Sequence, residues 1–593
     1  MTGSKKRNVV IGVAFGYHDA SCCIIEDGKL IASAQEERFT RVKHDFNVPK
    51  YAFHYCLEVA GVSVDELLAV AYYEEPYCKL TRQIWMGMKN NNSEGRKKKL
   101  AYKMIEVDDY EREIREKLGF TGDIYCVNHH LSHGASAYYF SGYDKSAVMT
   151  IDGVGEWQCM TYGYGENDEV KIFESVDFPD SIGLFYSAIT AYLGFEVNDG
   201  EYKIMGLAPY GQPTLVDKLY EMIEKHDKGE FRLNMEYFTY VEDDFMYSHE
   251  MEELLGHHGR TPESELLQFH MDVARSIQVV IEELLLEKAN YLYSVYPCEN
   301  LCLAGGVALN CVAVEKLGRE GPFKNIFVQP AAGDAGAAIG AAAVVYHQLL
   351  NEKIQPLKDA YLGPQYSNDE IYRLLDESGI KYLDFRNDED KMLTFVAEKL
   401  SEGNVVGWFQ GRMEFGPRAL GARSIIADPR NLDMRNLING MVKKRESFRP
   451  FAPSVLLSKM KEHFDIDHES PYMLETCQVI SKLDLPAITH VDGSGRIQTV
   501  SEENNVRYTK LIQKFDELTN CPIILNTSFN MRGEPIVCSP MDAIKCFVRA
   551  QMNVLVLQDF VILKEDISEI WEYFINREGI AKTNVNDLVY TLL

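Results

Sequence analysis

Two stretches of the sequence, about 140 residues apart, share a pattern of three successive strands. Residues 9–14 are an apolar run, and the ASCCIIEDGKLIASAQEE that follows predicts two strands around the Asp27-Gly28 turn. Residues 147–151 are a second apolar run, followed by DGVGEW and the strand-like QCMTYGYG. Because self-similarity of this kind indicates a duplicated unit, we predict two similar α/β lobes around a cleft.

A second α/β unit is expected in the C-terminal part of the chain. The stretch before it is polar and contains the breakers Pro356, Gly363 and Pro364, which predict a linker over 356–390. Helix-like KMLTFVAEKLSEG and strand-like NVVGWF come next. The predicted division is therefore a first domain over 1–355 and a second over 391–593.

The overall charge excludes some classes of partner. The 593 residues include 61 Lys and Arg against 89 Asp and Glu, a net charge of −28 at pH 7. This charge opposes binding of nucleic acid or anionic membranes, although a local basic pocket for a small phosphate compound is compatible with it. No apolar stretch approaches the roughly 20 residues of a membrane span. The 13 cysteines include no CxxC pair, and the apolar VVIGVAF is short for a signal peptide, so we expect a cytoplasmic protein.

The segment HHLSH offers a candidate metal site. His129 and His133 are four residues apart and share one face if the segment is helical. With 15 histidines, chance gives roughly 0.4 such pairs, so the spacing needs support from other ligands. Asp152 at a strand end and Asp334 in the loop AAGDAG are suitable. Two imidazoles and two carboxylates suit Fe(II), Mn(II) or Zn(II).

The predicted second unit contains a cluster of basic residues that is suited to phosphate groups. Its members lie in GRMEFGPRALGARS and MVKKRESFRPFAPS: Arg412, Arg418, Arg423, Lys443, Arg445 and Arg449. A solvated helix is the alternative for the KKRE portion. Downstream, the turn in ILNTSFNMRGEPIV presents Ser528, Asn530 and Arg532. The sequence has no GxxxxGK[ST] loop, so nucleotide binding would use another fold.

Two loops rich in Gly and Ala lie in the first domain, within NLCLAGGVALNCV and FVQPAAGDAGAA. Such loops let a backbone approach an anionic ligand, or they allow a helix to pack closely on a sheet. The sequence leaves both interpretations open. If the loops bind a nucleotide, the contacting residues are expected to be Gly305, Gly306, Asn310 and Gly336.

Nine of these motifs together closely resemble the O-carbamoyltransferase family, which includes enzymes of nodulation-factor, cephamycin and tobramycin biosynthesis. The motifs run in order along nearly the whole chain: HDASCCIIEDGKLIASAQEERFTRVKHD, HHLSHGASA, DGVGE, GEYKIMGLAPYG, GGVALN, GDAGAAIG, GRMEFGPRALGARSI, KKRESFRPFAPSV and LNTSFNMRGEPIV. The resemblance implies an N-terminal domain of the duplicated actin/sugar-kinase fold, similar to the tRNA threonylcarbamoyl-transferring enzyme, and a YrdC-like α/β C-terminal domain. It further implies that carbamoyl phosphate and ATP form carbamoyl adenylate, whose carbamoyl group passes to a hydroxyl of a small molecule.

The resemblance also implies the residues of each site. The family's HxxxH motif matches His129 and His133, with Asp152 and Asp334 at the other ligand positions of Fe(II) or another divalent transition metal. Carbamoyl phosphate and ATP, the latter with Mg(II), are expected at a set that combines the family's KxR and SxN motifs with neighbouring arginines: Arg418, Lys443, Arg445, Arg449, Ser528, Asn530 and Arg532. The small-residue loops would hold the adenylate.

The transfer step needs a base, because an unactivated hydroxyl is a poor nucleophile. We expect His18, oriented by Asp19, to be this base, and Lys43 to contribute a further contact. Lys203 and Asp199 are candidate contacts for the acceptor, whose identity the sequence leaves open. A homodimer through the N-terminal domain is compatible with the resemblance.

Two other functions fit the same domain types. A tRNA threonylcarbamoyl-modifying enzyme is the main alternative, and the net charge of −28 argues against it. A sugar kinase or a non-catalytic ATP-binding protein of the actin-like fold is the second alternative.

Overall fold

The computed structural model describes residues 7–89, 109–226, 229–242, 245–440 and 448–578. The chain divides into two compact units. The first takes in the described residues up to Glu36 and Phe46–Leu357, and the second takes in Glu37–Asp45 and the described residues from Lys358 onward. A short segment from the N-terminal half of the sequence is therefore part of the second unit.

The first unit begins with a five-stranded sheet in the order β3-β2-β1-β4-β5. Its strands are β1 (Val9–Ala14), β2 (Ser21–Glu26), β3 (Lys29–Gln35), β4 (Ala69–Tyr72) and β5 (Asp123–Cys126). Strand β1 is antiparallel to β2 and parallel to β4, and β4 is parallel to β5. Every residue of β1 is buried, as expected of a central strand that is covered on both faces.

A second sheet in this unit repeats the arrangement. Its strands are β6 (Lys145–Ile151), β7 (Gln158–Glu166), β8 (Glu169–Asp177), β11 (Asn300–Ala304) and β12 (Asn325–Val328), with the hairpin β9 (Ile223–Lys225) and β10 (Phe231–Leu233) between them in sequence. The order β8-β7-β6-β11-β12 and the strand directions match those of the first sheet. The predicted duplication is confirmed, and the repeated order agrees with the duplicated fold that the resemblance implies.

Eleven labelled helices accompany these sheets in the described part of the first unit. They are α1 (Lys50–Ala60), α2 (Pro76–Lys89), α3 (Asp109–Leu118), α4 (His129–Ser141), α5 (Ile182–Tyr192), α6 (Glu201–Leu207), α7 (Val216–Tyr220), α8 (His249–Leu255), α9 (Gln268–Val295), α10 (Cys311–Glu320) and α11 (Asp334–Leu350). Helix α11 packs closely because glycines lie at its contacts. A Cβ atom on Gly12 of β1 would overlap the Ala338 carbonyl, and one on Gly340 would overlap the Ser132 carbonyl of α4. Helix α11 is thereby held against both β1 and α4.

The second unit has an eight-stranded mixed sheet in the order β13-β22-β21-β14-β15-β20-β16-β19 and a separate pair, β17-β18. The strands are β13 (Leu383–Asp384), β14 (Val406–Phe409), β15 (Arg423–Ala427), β16 (Ala452–Leu456), β17 (Thr476–Gln478), β18 (Ser494–Arg496), β19 (Gln498–Val500), β20 (Ile523–Ser528), β21 (Val554–Leu557) and β22 (Phe560–Leu563). Its helices are a one-turn helix at Glu37–Thr40, α12 (Asn368–Ser378), α13 (Glu389–Ser401), α14 (Met434–Ile438), α15 (Met460–His463), α16 (Val506–Thr519), α17 (Pro540–Ala550) and α18 (Glu569–Glu578). The unit is an α/β domain, and its YrdC-like character stays a prediction.

The stretch 356–390 differs from the linker expected there. Helix α12 lies within it and begins with a capping box between Ser367 and Glu370. Its Ile371 and Leu375, four residues apart on one face, are buried in the core of the second unit. The breakers Pro356, Gly363 and Pro364 lie before this helix, so the polar character of the stretch belongs to the exposed face of a packed element.

Within the described ranges, no helix combines the length and the apolar character needed to span a bilayer.

Candidate functional site

Four potential metal ligands meet in the first unit. His129 and His133 lie on α4, whose first turn is capped by the Asn128 side chain accepting from the Leu131 amide at 3.0 Å. The four-residue spacing puts both imidazoles on one face of the helix. Asp152 follows β6 directly, and Asp334 is the first residue of α11. The structure thus brings together residues from three separate elements.

The ligand atoms of the four residues all lie within 4.8 Å of one another. The two Nε2 atoms of the histidines are 3.1 Å apart. Asp152 Oδ2 lies 3.2 Å from Nε2 of His129 and 3.3 Å from that of His133. Asp334 Oδ1 is 3.7 Å and 3.6 Å from the same two nitrogens. Two imidazole nitrogens and two carboxylate oxygens therefore point at one small volume.

This donor set fits a divalent transition metal. Asp334 is buried, and its Oδ1 accepts no hydrogen bond. Burying a carboxylate oxygen costs free energy of folding unless a cation or a hydrogen-bond donor is bound to it. Burial favours the neutral form of Asp152, but hydrogen bonds from His129 and His133 outweigh burial and hold the pKa of its carboxyl well below the ordinary value. A site with one buried carboxylate, one partly buried carboxylate and two imidazoles is suited to Fe(II), Mn(II) or Zn(II).

His18 lies beside this cluster. Its Nε2 is 3.6 Å from Asp334 Oδ2, and its Nδ1 is 3.0 Å from Asp19 Oδ2. Burial lowers the pKa of His18, but the carboxylates of Asp334 and Asp19 outweigh it and raise the pKa to about 9. A cation held by Asp334 would weaken this effect, because it would neutralise the charge that stabilises the imidazolium. The structure thus places Asp19 where it can orient the His18 ring.

The middle histidine of HHLSH faces away from the ligands. His130 Nδ1 lies 2.7 Å from Thr150 Oγ1, and Nε2 lies 2.8 Å from the Gln158 carbonyl oxygen. Burial is the main reason that the pKa of His130 is well below its ordinary value. His130 is therefore a neutral core residue that ties α4 to β6 and β7.

Glu156 was not identified from the sequence, although it belongs to the DGVGE motif. It is buried, and its Oε1 accepts the backbone N–H groups of His129 at 2.9 Å and Glu75 at 2.8 Å. Its Oε2 accepts from the Asn128 side chain at 3.1 Å. Burial raises the pKa of Glu156. Glu156 holds the start of α4, and the signal for it was a carboxylate four residues after Asp152.

The small-residue loops show the packing role that the sequence left open. A Cβ on Gly305 would overlap the Ile151 carbonyl, and one on Gly336 would overlap the Ala331 carbonyl. The Gly306 N–H donates to Asp152 Oδ1 at 3.0 Å, which orients that carboxylate.

The Asn310 side chain is also used within the protein. It caps α10 by accepting from the Ala313 amide at 3.1 Å, and it exchanges two hydrogen bonds with the buried Gln278. Adenylate binding by Gly305, Gly306, Asn310 and Gly336 stays a prediction.

Three further predicted residues lie outside the four-ligand group. Lys203 is on α6 with its Nζ 5.6 Å from the centre of the Phe195 ring, and Asp199 comes just before that helix. Lys43 belongs to the second unit. The roles proposed for these residues stay predictions.

The basic cluster of the second unit contains two kinds of arginine. The guanidinium of Arg423 is fully buried, lies 3.6 Å from the centre of the Phe409 ring and donates to backbone carbonyls. The accepting residues are Pro364, Gln410, Gly411 and Ala422. Arg412 donates to the Leu362 carbonyl at 2.6 Å. Arg423 therefore serves the fold, contrary to the phosphate-binding role predicted for the whole cluster. Arg412 is half-buried, and its phosphate-binding role stays a prediction.

Two other members of the basic cluster are partly exposed. Arg418 and Arg449 are half-buried, whereas Lys443 and Arg445 lie outside the described residues. Ser528 is the last residue of β20, and its hydroxyl donates to Asn530 Oδ1 at 2.7 Å.

The loop after β20 is closed at its base. The Asn530 side chain donates to the Glu534 carbonyl at 2.6 Å, and the Val537 N–H donates to the Phe529 carbonyl at 2.9 Å. Arg532 lies at the exposed tip. These hydrogen bonds hold the two ends of the loop together, and the polar side chains of the loop extend from this fixed backbone.

The sequence matches the models of two protein families. The family model described as "Carbamoyltransferase N-terminus" matches residues 9–343, and that described as "Carbamoyltransferase C-terminus" matches residues 397–564. The chain belongs to the carbamoyltransferase family. This carbamoyltransferase is thus a transferase enzyme, and the resemblance noted in the sequence is confirmed.

Named relatives agree with this assignment. The carbamoyltransferase is 46% identical to the uncharacterized protein sll1178 of Synechocystis sp., over 94% of this chain and 96% of that protein. It is 37% identical to the nodulation protein NolNO of Sinorhizobium fredii, over 93% and 80% of the two chains. It is 33% identical to the 3'-hydroxymethylcephem-O-carbamoyltransferase of Amycolatopsis lactamdurans, over 40% and 44%.

Proposed function

We propose that this carbamoyltransferase is an ATP-dependent O-carbamoyltransferase that makes carbamoyl adenylate and passes its carbamoyl group to a hydroxyl of a small natural product. The observation that carries the proposal is the convergence of His129, His133, Asp152 and Asp334 with His18 at 3.6 Å from Asp334. A cation site next to an oriented imidazole is suited to acyl transfer to an alcohol.

Activation is proposed for the second unit. Water cleaves carbamoyl phosphate to carbamate and inorganic phosphate, and a carbamate oxygen then attacks the α-phosphorus of ATP. The bond from that phosphorus to the β-phosphate oxygen breaks, so the products are carbamoyl adenylate and pyrophosphate. Both substrates are polyanions and need fixed cations and hydroxyl donors. We assign this role to Arg418, Lys443, Arg445, Arg449, Ser528, Asn530 and Arg532, with Mg(II) accompanying ATP.

Transfer is proposed for the first unit. The acceptor oxygen attacks the carbonyl carbon, the bond from that carbon to the AMP oxygen breaks, and AMP leaves. His18 takes the hydroxyl proton at a ring nitrogen, and Asp19, 3.0 Å from its Nδ1, holds the ring. Fe(II) or another divalent transition metal on His129, His133, Asp152 and Asp334 would supply Lewis acidity.

The acceptor is proposed to be a small-molecule alcohol. The name of the cephem relative describes carbamoyl transfer to a hydroxymethyl compound. The net charge of −28 opposes the binding of a polyanion such as tRNA. Tight binding of tRNA at physiological salt would favour the threonylcarbamoyl alternative.

Two variants test the division of labour. Asp334→Asn should lower the metal content and reduce carbamoyl transfer by at least about 100-fold, because it removes a ligand, while pyrophosphate release continues. Ser528→Ala should slow carbamoyl phosphate-dependent pyrophosphate release and still permit transfer from supplied carbamoyl adenylate. Pyrophosphate release, metal content and the carbamoylated product are measured in each variant, which serves as the control for the other. Equal loss of both half-reactions in both variants would contradict the assignment.

A further inference from the structure

Residues 37–45 form a segment of defined conformation that we call the clamp segment. The chain reaches it from β3 and leaves it for α1, yet its residues belong to the second unit. The Glu37 carboxylate accepts the His44 N–H at 2.8 Å, and the Thr40 hydroxyl donates to Asp45 Oδ2 at 2.7 Å. Arg41 and His44 have backbone φ angles of +62° and +55°, which residues other than glycine rarely adopt. The hydrogen bonds within the clamp segment therefore hold its backbone in one defined conformation.

Arg41 binds the loop that carries Ser528 and Asn530. Its Nη1 donates to the Ile536 carbonyl at 2.6 Å, and its Nη2 donates to the Pro535 carbonyl at 2.7 Å. Both carbonyls lie next to the closing hydrogen bond from the Val537 N–H. One side of the loop is thus fixed by β20, and the other side is fixed by the guanidinium of Arg41.

The clamp segment also binds the loop that carries Arg418. The Arg38 guanidinium is buried, and its Nη2 donates to the Gly416 carbonyl at 3.0 Å, two residues before Arg418. The Phe39 ring packs against a small apolar cluster. That cluster joins the two loops, since its members are Met413, Ile536 and Cys538.

We infer that the clamp segment sets the spacing between the two loops that bind carbamoyl phosphate, with Arg41 as a positioning residue for activation. The inference rests on the proposed function. Arg418 and Ser528 belong to loops more than a hundred residues apart in sequence, and the segment contacts both loops. Displacing a contact group by about 1 Å costs on the order of 100-fold in rate, so a two-point hydrogen bond at the base of the loop has a measurable effect.

Arg41→Ala in the full chain tests the inference. We expect the KM for carbamoyl phosphate in pyrophosphate release to rise about 10- to 100-fold, while transfer from supplied carbamoyl adenylate is unchanged. Added ethylguanidinium should restore part of the activity, which a general loss of structure would not allow. Arg41→Lys keeps the charge without the planar fork and should give an intermediate KM. Arg386→Ala is the matched control, because Arg386 pairs at the surface with Asp384.

Hydrogen exchange at the Val537 amide provides a measurement that does not depend on the reaction. The exchange rate should increase in Arg41→Ala and stay at the wild-type value in Arg386→Ala. An unchanged KM for carbamoyl phosphate, when the wild type releases pyrophosphate, would overturn the inference and leave the proposed function intact. If the wild type releases none, the proposed function fails. Hydrogen exchange then decides alone: faster exchange supports the clamp, and unchanged exchange overturns it.

Discussion

The candidate metal cluster of the first unit and the arginine-rich loops of the second unit use polar residues in opposite ways. The cluster consists of His129, His133, Asp152 and Asp334. In the cluster, the Oδ1 atom of Asp334 is buried without a hydrogen bond. In the loops, Arg423 is equally buried, but backbone carbonyls accept from both of its terminal nitrogens, Nη1 and Nη2. A buried group left unsatisfied points to a ligand, whereas a satisfied one belongs to the fold. Clustering in sequence does not distinguish a ligand-binding group from a structural one. The hydrogen-bond partners of each group in the structure do distinguish them.

The sharpest way to break this comparison is Arg423→Ala. Four backbone carbonyls would lose the arginine as a donor, although those of Pro364 and Ala422 keep a backbone N–H donor, and the face of the Phe409 ring would lose its cation. We therefore expect the free energy of unfolding to fall by about 3 kcal/mol or more. Denaturant unfolding measures the effect. Arg386→Ala, at an exposed ion pair, should change the free energy by about 1 kcal/mol or less. A stable Arg423→Ala protein that has lost only its affinity for carbamoyl phosphate would assign Arg423 to the site.

Glu156→Ala tests whether metal binding in the first unit also depends on residues that position the ligands. The variant leaves the N–H groups of His129 and Glu75 without their acceptor and loosens the start of α4. We expect metal affinity to fall about 10- to 100-fold, as for other residues that orient metal ligands. Competition with a chelator measures this affinity. Glu236→Ala removes an exposed carboxylate from the same unit and should leave it unchanged, whereas equal affinities for wild type and Glu156→Ala would restrict the centre to its four ligands.

Arg412→Ala should have the smallest effect and would sharpen the contrast within the loops. Its guanidinium bonds the Leu362 carbonyl, so the free energy of unfolding should fall by about 1–2 kcal/mol while the KM for carbamoyl phosphate is unchanged. Arg418→Ala should show the reverse pattern. Unfolding experiments and initial rates on both variants measure the two quantities, and a raised KM in Arg412→Ala would remove the distinction.

The features that could be predicted are those that depend on the spacing of residues within a short stretch of sequence. The recurrence of an apolar run followed by two strand-like stretches predicted the duplicated sheets, and the four-residue spacing of His129 and His133 placed both rings on one face. Asp152 and Asp334 were found because polar residues after strands face the edge where ligands bind. Each of these inferences needs only one element and its neighbour.

The parts that were missed depend on partners distant in sequence. Arg41 bonds the Ile536 carbonyl 495 residues away, so neither its role nor its place in the second unit was visible in the sequence around it. Arg423 resembled its neighbours until its carbonyl partners were known. The helix at Asn368–Ser378 was obscured because Pro and Gly before it and a polar face hid the buried pair Ile371 and Leu375.

The close seat of α11 affects how natural variants of this enzyme should be interpreted. Gly340 lies six residues beyond Asp334 and has no ionisable group, yet a single methyl group there would strike the Ser132 carbonyl of α4. The strain would push apart the two helices that carry Asp334 and His133, with every ligand residue still in the sequence. A genome survey that checks only for the four proposed ligand residues would count such an allele as intact, although the geometry of the proposed metal site would be lost.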